Sequence, residues 1–181
     1  LAFGEMGSGY LTISALQTWD IADSTVATFA MVALIGETTG SFLTGWLADR
    51  FGHGLSLEIA TLAAALAFLA ALLAPSPSWF LVVFFLHGFF FGGRTVSGLM
   101  VVLEFAKPEK RPTYVGITST FAGVGSMAAP LIGAGLALLG FNYIFIGSLI
   151  ACTLAFLLLR FWVKEPRFEK EEGQEKREER R

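Results

Sequence analysis

The sequence predicts an all-α membrane protein with about five complete transmembrane helices and part of a sixth, and three observations point there. Of the 181 residues, 54% are hydrophobic and 20 more are glycine, whereas soluble domains average about 45–50% apolar with glycine included. Charge is segregated: seven of the 13 basic and seven of the 15 acidic residues lie at 164–181, which leaves a long apolar body, mean hydropathy +0.64. That body divides into runs long enough to cross a bilayer, which takes about 20 residues as a helix. The net charge of -2 then says little about partners, and nothing suggests nucleic acid.

Residues 1–16 look like the outer part of a helix whose start is missing, since the chain opens on Leu, as if mid-helix, without a charged leader. Complete helices are expected at 25–47, 55–74, 79–103, 113–139 and 142–163. The breaks carry turn chemistry: Asp20 and Asp23, DRFGHG at 49–54, PSPS at 75–78, KPEKRP at 107–112 and Gly140 to Asn142. Lipid tolerates only closed backbone hydrogen bonding, and the alternation of barrel strands is absent, so these runs are helices. Pro112 suits a first helical turn. Cys152, the single cysteine, reads as inert packing. No metal site or cofactor is expected. The tail at 164–181 is expected to be solvated and disordered, with headgroup contact by Lys164 and Arg167 the lesser alternative.

Basic residues set the orientation. If the DRFGHG loop is cytoplasmic, that side receives Arg50, Lys107, Lys110, Arg111 and everything from Arg160 onward, twelve of the 13 basic residues. The opposite loops, 17–24, 75–78 and 140–142, hold no Lys or Arg. This is a strong positive-inside pattern. It places 48–54, 104–112 and 164–181 in the cytoplasm, with a bacterial or archaeal plasma membrane the expected location. The thirteenth basic residue, Arg94, belongs to neither side.

Residues 45–54 read GWLADRFGHG. Gly45 allows another helix to approach, Asp49 can face a helix N-terminus, Arg50 can hold that carboxylate or a headgroup, and Gly52 permits the bend. The pattern Gly45, Leu47, Asp49, Arg50, Gly52 resembles the cytoplasmic-loop signature of major facilitator superfamily transporters, although His53 and Gly54 stand where that signature usually ends in two basic residues. KPEKRPTYVG at 107–116 and APLIGAG at 129–135 are similar to the second six-helix half of that family, and the likeness covers the whole chain. It implies a loop that latches two halves together, a missing N-terminal six-helix half as partner, and a central cavity faced by the helices of Glu5, Glu37 and Arg94.

Four ionisable residues lie deep. At about 1.5 Å per residue, Glu5 is roughly 16 Å from an outer end near Leu16 and Glu37 about 18 Å below Thr25. Arg94 is about 22 Å below Trp79 and His87 about 12 Å. Arg94 is beyond snorkelling reach of its nearest helix end, and a charge at the bilayer centre costs about 2.5 kcal/mol or more. Glu37 is the expected partner by depth and sign, with Glu5 second. Glu37 shares a stripe with Ala30, Ala33, Ser41 and Gly45; Arg94 shares one with His87, Ser97 and Gly98. Each of the four is a candidate for binding solute or carrying a proton. The alternatives are a purely structural Glu37–Arg94 bridge and a packing histidine at 87. Gly123, Gly125 and Pro130 mark the helix at 113–139 as a deformable gate, where glycines permit close contact and proline a bend.

The expected function is secondary active transport of a small solute by alternating access, with proton coupling through midplane carboxylates and with direction undetermined. No GxxxxGK[ST] phosphate loop occurs. A non-transporting or truncated membrane module is the alternative. An intramembrane hydrolase built on Ser8 and His87 lacks any frame linking the two, so no enzyme is expected.

Overall fold

The computed structural model describes residues 2–162; the charged tail expected at 164–181 lies outside the described residues. The chain opens as a 3-10 segment, Ala2–Gly7, that runs into α1, Ser8–Trp19. Asp20 ends α1 in the left-handed region at φ 47°, its N–H bonded to the Leu16 carbonyl at 3.2 Å; aspartate tolerates this conformation better than most residues. Next come α2, Asp23–Phe51, and α3, His53–Leu72. Between them Gly52 sits at φ 95°, which lets one helix follow another without a spacer. A 3-10 turn at Pro77–Trp79 leads into α4, Phe80–Phe105. Another at Pro108–Lys110 leads into α5, Arg111–Ala137, and α6 is Phe141–Trp162. Among the described residues there is no strand, and five helices are long and apolar enough to cross a membrane.

Lipid offers no hydrophobic gain when two helices meet, so association rests on close packing and on polar contacts. The tightest packing is between α2 and α4. Gly36 and Gly40 on α2 interlock with Gly88 and Gly92 on α4. A Cβ at Gly36 would strike the backbone of Phe85, and one at Gly40 that of Phe89. At Gly88 and Gly92 it would strike the carbonyls of Ala33 and Glu37. Two segments, GETTG and GFFFG, thus bring backbone against backbone over one helical turn. Alanine-rich α3 lies against α4, α2 and α6. It is tied to α2 by the buried Ser56 hydroxyl, which donates to the Thr44 carbonyl at 2.9 Å.

Aromatic rings fill the end remote from the 49–54 loop. Phe29, Phe80, Phe84, Phe90, Phe68 and Phe145 share one buried cluster with Leu11 and Cys152. Phe29 stacks on Phe84 at 5.0 Å, and Trp19 meets Phe80 edge-on at 5.4 Å. A smaller cluster of Met6, Ala129 and Ile144 seats the 3-10 segment between α5 and α6. Elsewhere α5 touches α4 and α6 sparsely and stays the most exposed spanning helix. Close contact, expected of the α5 glycines, occurs at Gly125 against Ala2 and at Gly133 against the Met6 carbonyl, each 2.9 Å from a Cβ position. It does not occur at Gly116, Gly123 or Gly135, where nothing lies within 4 Å.

Candidate functional site

The helices place three of the charged candidates at one depth. Arg94 is about 21 Å along α4 from Phe80, and Glu37 is about 21 Å along α2 from Asp23. The 3-10 segment climbs about 2.0 Å per residue, so Glu5 lies about 22 Å from the Trp19 end of α1. Depth therefore does not choose between the two glutamates. Orientation around the helix does.

Arg94 pairs with Glu5, Nη1 against Oε1, and not with Glu37 as expected from sign and depth. Gly88 and Gly92 fix the face of α4 that meets α2. Two residues further on, a side chain leaves the helix about 200° around, so Arg94 projects away from α2 and toward the 3-10 segment and α5. Glu37 has its carbonyl against Gly92, and its side chain lines a separate shallow groove of about 650 Å³ with Leu34, Thr38, Ser41 and Phe42.

The Arg94 groove, about 720 Å³, runs between α4, α5 and the 3-10 segment. Phe3, Phe91 and Phe121 line it with rings, Thr118, Ser119 and Ser126 supply hydroxyls, and the Thr95 hydroxyl there donates to the Phe91 carbonyl at 2.9 Å. The guanidinium sits over the Phe91 ring at 5.7 Å, a favourable placement for a cation. Arg94 lines the groove, and the Arg94 and Glu5 side chains keep 36% and 22% of their surface, while the two contacting atoms, Nη1 and Oε1, are buried. One fixed cation, aromatic walls and neutral hydroxyls can hold an anionic head on a flat apolar body.

His87 does not join this site directly. Its ring lies among Phe68, Phe90 and Phe91, with centroids at 6.0, 6.2 and 6.5 Å, and Nδ1 has no hydrogen-bond partner among the described residues. Phe91 stands between the imidazole and the guanidinium, touching both. The stripe expected for Arg94 splits three ways. Gly98 lines the groove, Ser97 is buried and meets His53 Nδ1 at 3.3 Å, and His87 faces α3. Pro130 lies inside α5, and Gly125 lines the groove.

At the loop, Gly52 makes the bend while Asp49 and Arg50 are exposed. Arg50 lies over the Trp46 ring at 4.8 Å. At Gly45 a Cβ would have an ordinary contact, Val96 at 3.9 Å, so this helix pair does not require a glycine there; Leu47 is half-buried. Sequence reasoning missed the groove hydroxyls and the Arg160–Glu58 pair, 3.6 Å apart, which joins α6 to α3 near the same end. The groove carried a signal: positions 91, 95, 98 and 102 on α4 and 118, 122 and 125 on α5 follow helical spacing.

Six α-helical segments among the described residues, five of them long and apolar enough to cross a membrane, define a polytopic integral membrane protein. The chain belongs to the Major Facilitator Superfamily, whose sequence model matches residues 1–181. It is similar to a niacin transporter of Acinetobacter baylyi, 25% identical over 123 residues, which are 68% of this chain and 28% of the relative. A protein of Bacillus subtilis described as a niacin/nicotinamide transporter is 32% identical over 133 residues, 72% of this chain and 33% of the relative. A 4-hydroxybenzoate transporter of Pseudomonas aeruginosa is 28% identical over 155 residues, 83% and 34% respectively. The chain spans about a third of the length of these relatives. No solved structure matches it.

Proposed function

We propose that this chain is the second six-helix half of a secondary active transporter, in which a small solute binds at mid-depth and two halves rock around it. The observation that carries this is the Arg94–Glu5 pair, about 21–22 Å from the helix ends remote from the 49–54 loop, with Arg94 lining a groove. A charge held so far along a membrane-spanning helix is costly, and the rest of the Arg94 side chain faces a groove that a solute could enter. Niacin and 4-hydroxybenzoate, named for three of the relatives, are small aromatic acids, and nicotinamide, also named for one of them, is the neutral amide of the same ring; the groove's aromatic rings suit all three and its single guanidinium suits the acids.

In this scheme Arg94 binds the solute and Glu5 is the first proton-coupling candidate, with Glu37 and His87 as the others. The Gly45–Gly52 motif latches against the other half, and 48–54, 104–112 and 164–181 lie on the cytoplasmic side. Helix α5 flexes at Gly123, Gly125 and Pro130 to gate the groove. The solute and the lipid bilayer are the partners besides the remaining helices of the same polypeptide. Energy comes from an ion or solute gradient. No enzymatic step is proposed.

The test is flux. The full-length polypeptide in proteoliposomes should exchange labelled nicotinate or 4-hydroxybenzoate, and accumulate it when a pH gradient is imposed. Arg94→Gln should reduce flux at least tenfold. Equal flux in liposomes with and without protein, for both solutes, refutes the proposal.

A further inference from the structure

We infer that Gly98 on α4, with Thr118 and Ser119 on α5, forms a ring subsite that selects aromatic monocarboxylates carrying a para hydroxyl. This rests on the transport proposal and specifies its solute class. The α4–α5 hairpin sets the levels. Phe105 ends α4 and Arg111 begins α5 across a short turn, so positions equally far from that turn face each other. Arg94 is then level with Ala122, Phe91 with Gly125 and Gly98 with Thr118, and all of these line the same groove. From Arg94 toward the turn, Gly98 lies about 6 Å along α4. Ser119 and Thr118 lie about 4.5 and 6 Å from the Arg94 level along α5.

The groove differs on the two sides of Arg94. Away from the turn it holds the Phe91 ring and the 3-10 segment, with Ala2 against Gly125. Toward the turn α4 presents Gly98, where an added Cβ would meet Arg94 Cγ at 3.6 Å and nothing else within 4 Å. A flat ring can lie there on bare backbone, between Leu99 and Phe121. An acid whose carboxylate meets Arg94 and whose ring covers Gly98 carries a para substituent about one helical turn from the carboxylate, about 5.4 Å. That is the level of Thr118 and Ser119. The hydroxyls there are uncommitted. Inside a span a hydroxyl commonly bonds the carbonyl one turn back, as Thr95 does to Phe91 at 2.9 Å and Thr120 to Gly116 at 2.8 Å. Thr118 and Ser119 make no such bond among the described residues. A phenol can donate to one and accept from the other. A pyridine nitrogen meta to the carboxylate stops short of both, and an unsubstituted ring offers them nothing.

The experiment is equilibrium binding to the purified full-length polypeptide near neutral pH, with 4-hydroxybenzoate, benzoate, 4-methylbenzoate and nicotinate as probes. A neutral hydrogen bond gained in place of water is worth up to about tenfold in affinity. The wild type should therefore bind 4-hydroxybenzoate about tenfold more tightly than the other three. 4-Methylbenzoate fills the same space without a hydroxyl, so it separates hydrogen bonding from fit. The double variant Thr118→Val/Ser119→Ala should bring the affinity ratio of 4-hydroxybenzoate to benzoate down to about one. Gly98→Val puts a branched side chain where the ring lies and should weaken all four probes by roughly tenfold or more. If a variant does not fold, the wild-type series still decides.

Equal affinity of the wild type for 4-hydroxybenzoate and 4-methylbenzoate overturns the inference. So does a ratio that survives in the folded double variant, or undiminished binding of the probes by Gly98→Val. Collapse of the ratio in Ser126→Ala and not in the double variant would put the ring on the other side of Arg94, and also overturns it. A wild type that binds none of the probes at millimolar concentration does the same. Binding needs no gradient, so the two proposals fail separately. Para-selective binding without flux refutes transport and keeps the subsite, whereas flux without para selectivity does the reverse.

Discussion

Replacing Gly40 with alanine tests whether α2 and α4 meet backbone to backbone. The new methyl carbon would lie 2.7 Å from Phe89 Cα and 2.8 Å from the Phe89 carbonyl carbon. Carbon atoms in contact prefer about 3.5–4.0 Å, so the helices must part by roughly 1 Å. The obstructing atoms are backbone and cannot rotate away. A gap of that size forfeits about a quarter to a half of the dispersion energy of each facing contact. Overpacking of this kind costs about 1–3 kcal/mol, opposed by up to about 1 kcal/mol from alanine's better helix propensity. The net expectation is a loss of about 1–2 kcal/mol. Gly88→Ala and Gly92→Ala should behave alike, since each presents a carbonyl of the facing helix to the added carbon.

Gly116 and Gly123 supply the control. No neighbour lies within 4 Å of a Cβ at either position, so alanine there brings propensity without a clash and should stabilise by about 0.5–1 kcal/mol. Stability can be read on the purified full-length polypeptide by SDS titration in mixed micelles, followed by tryptophan fluorescence. The two classes of variant should differ by about 2 kcal/mol, with opposite signs. If Gly40→Ala and Gly123→Ala agree within about 0.5 kcal/mol, the helices are not in backbone contact and the orientation inferred for Arg94 loses its basis.

Three further outcomes are expected. Ser56→Ala removes the hydroxyl that bonds the Thr44 carbonyl at 2.9 Å and should cost about 0.6–1.7 kcal/mol in the same SDS titration. His87→Phe replaces an imidazole whose Nδ1 lacks a partner among the described residues and that already lies among three phenylalanines. Burying an unsatisfied polar atom costs about 1–3 kcal/mol, so melting temperature should hold or rise; loss of accumulation under a pH gradient in this variant would move coupling from Glu5 to His87. Finally, Asp49→Cys and Asn142→Cys lie at opposite ends of the bundle and should react with impermeant maleimide from opposite sides of the membrane, with Asp49→Cys protected in whole cells. Buried Cys152 should stay unlabelled.

The fold class was legible because lipid permits so few solutions: long apolar runs, broken by DRFGHG, PSPS and KPEKRP, have to be helices. The family was legible in one loop, where Gly52 does adopt a conformation that favours glycine. Position along each helix was legible too, since helical rise converts residue number into distance. The partner of Arg94 was not, because Glu5 and Glu37 share its depth and the rotation about each helix axis decides between them. That rotation was written in Gly88 and Gly92, which turn Arg94 away from α2, but a small-residue stripe identifies a contact only when its counterpart is recognised on another helix. The groove hydroxyls were harder to pick out. Thr28, Thr38 and Thr39 each bond the carbonyl four residues back in their own helix, so a hydroxyl inside a span does not by itself mark a site.

The glycine interlock and the ion pair are mechanically related. Arg94 belongs to α4, which is locked to α2 by four glycines and packed on α3, itself tied to α2 through Ser56. Glu5 belongs to the 3-10 segment, which is seated on α5 and α6. Between these two groups α5 touches α4 only sparsely, and the groove lies along that boundary. Parting α4 from α5 alone breaks little packing, whereas parting α4 from α2 breaks a backbone contact and α6 stays packed on α3. The Arg94–Glu5 pair crosses this boundary as a charged tie. In the proposed cycle, movement of α5 and the 3-10 segment away from α4 has to break this tie, so a solute that binds Arg94 bears directly on that movement.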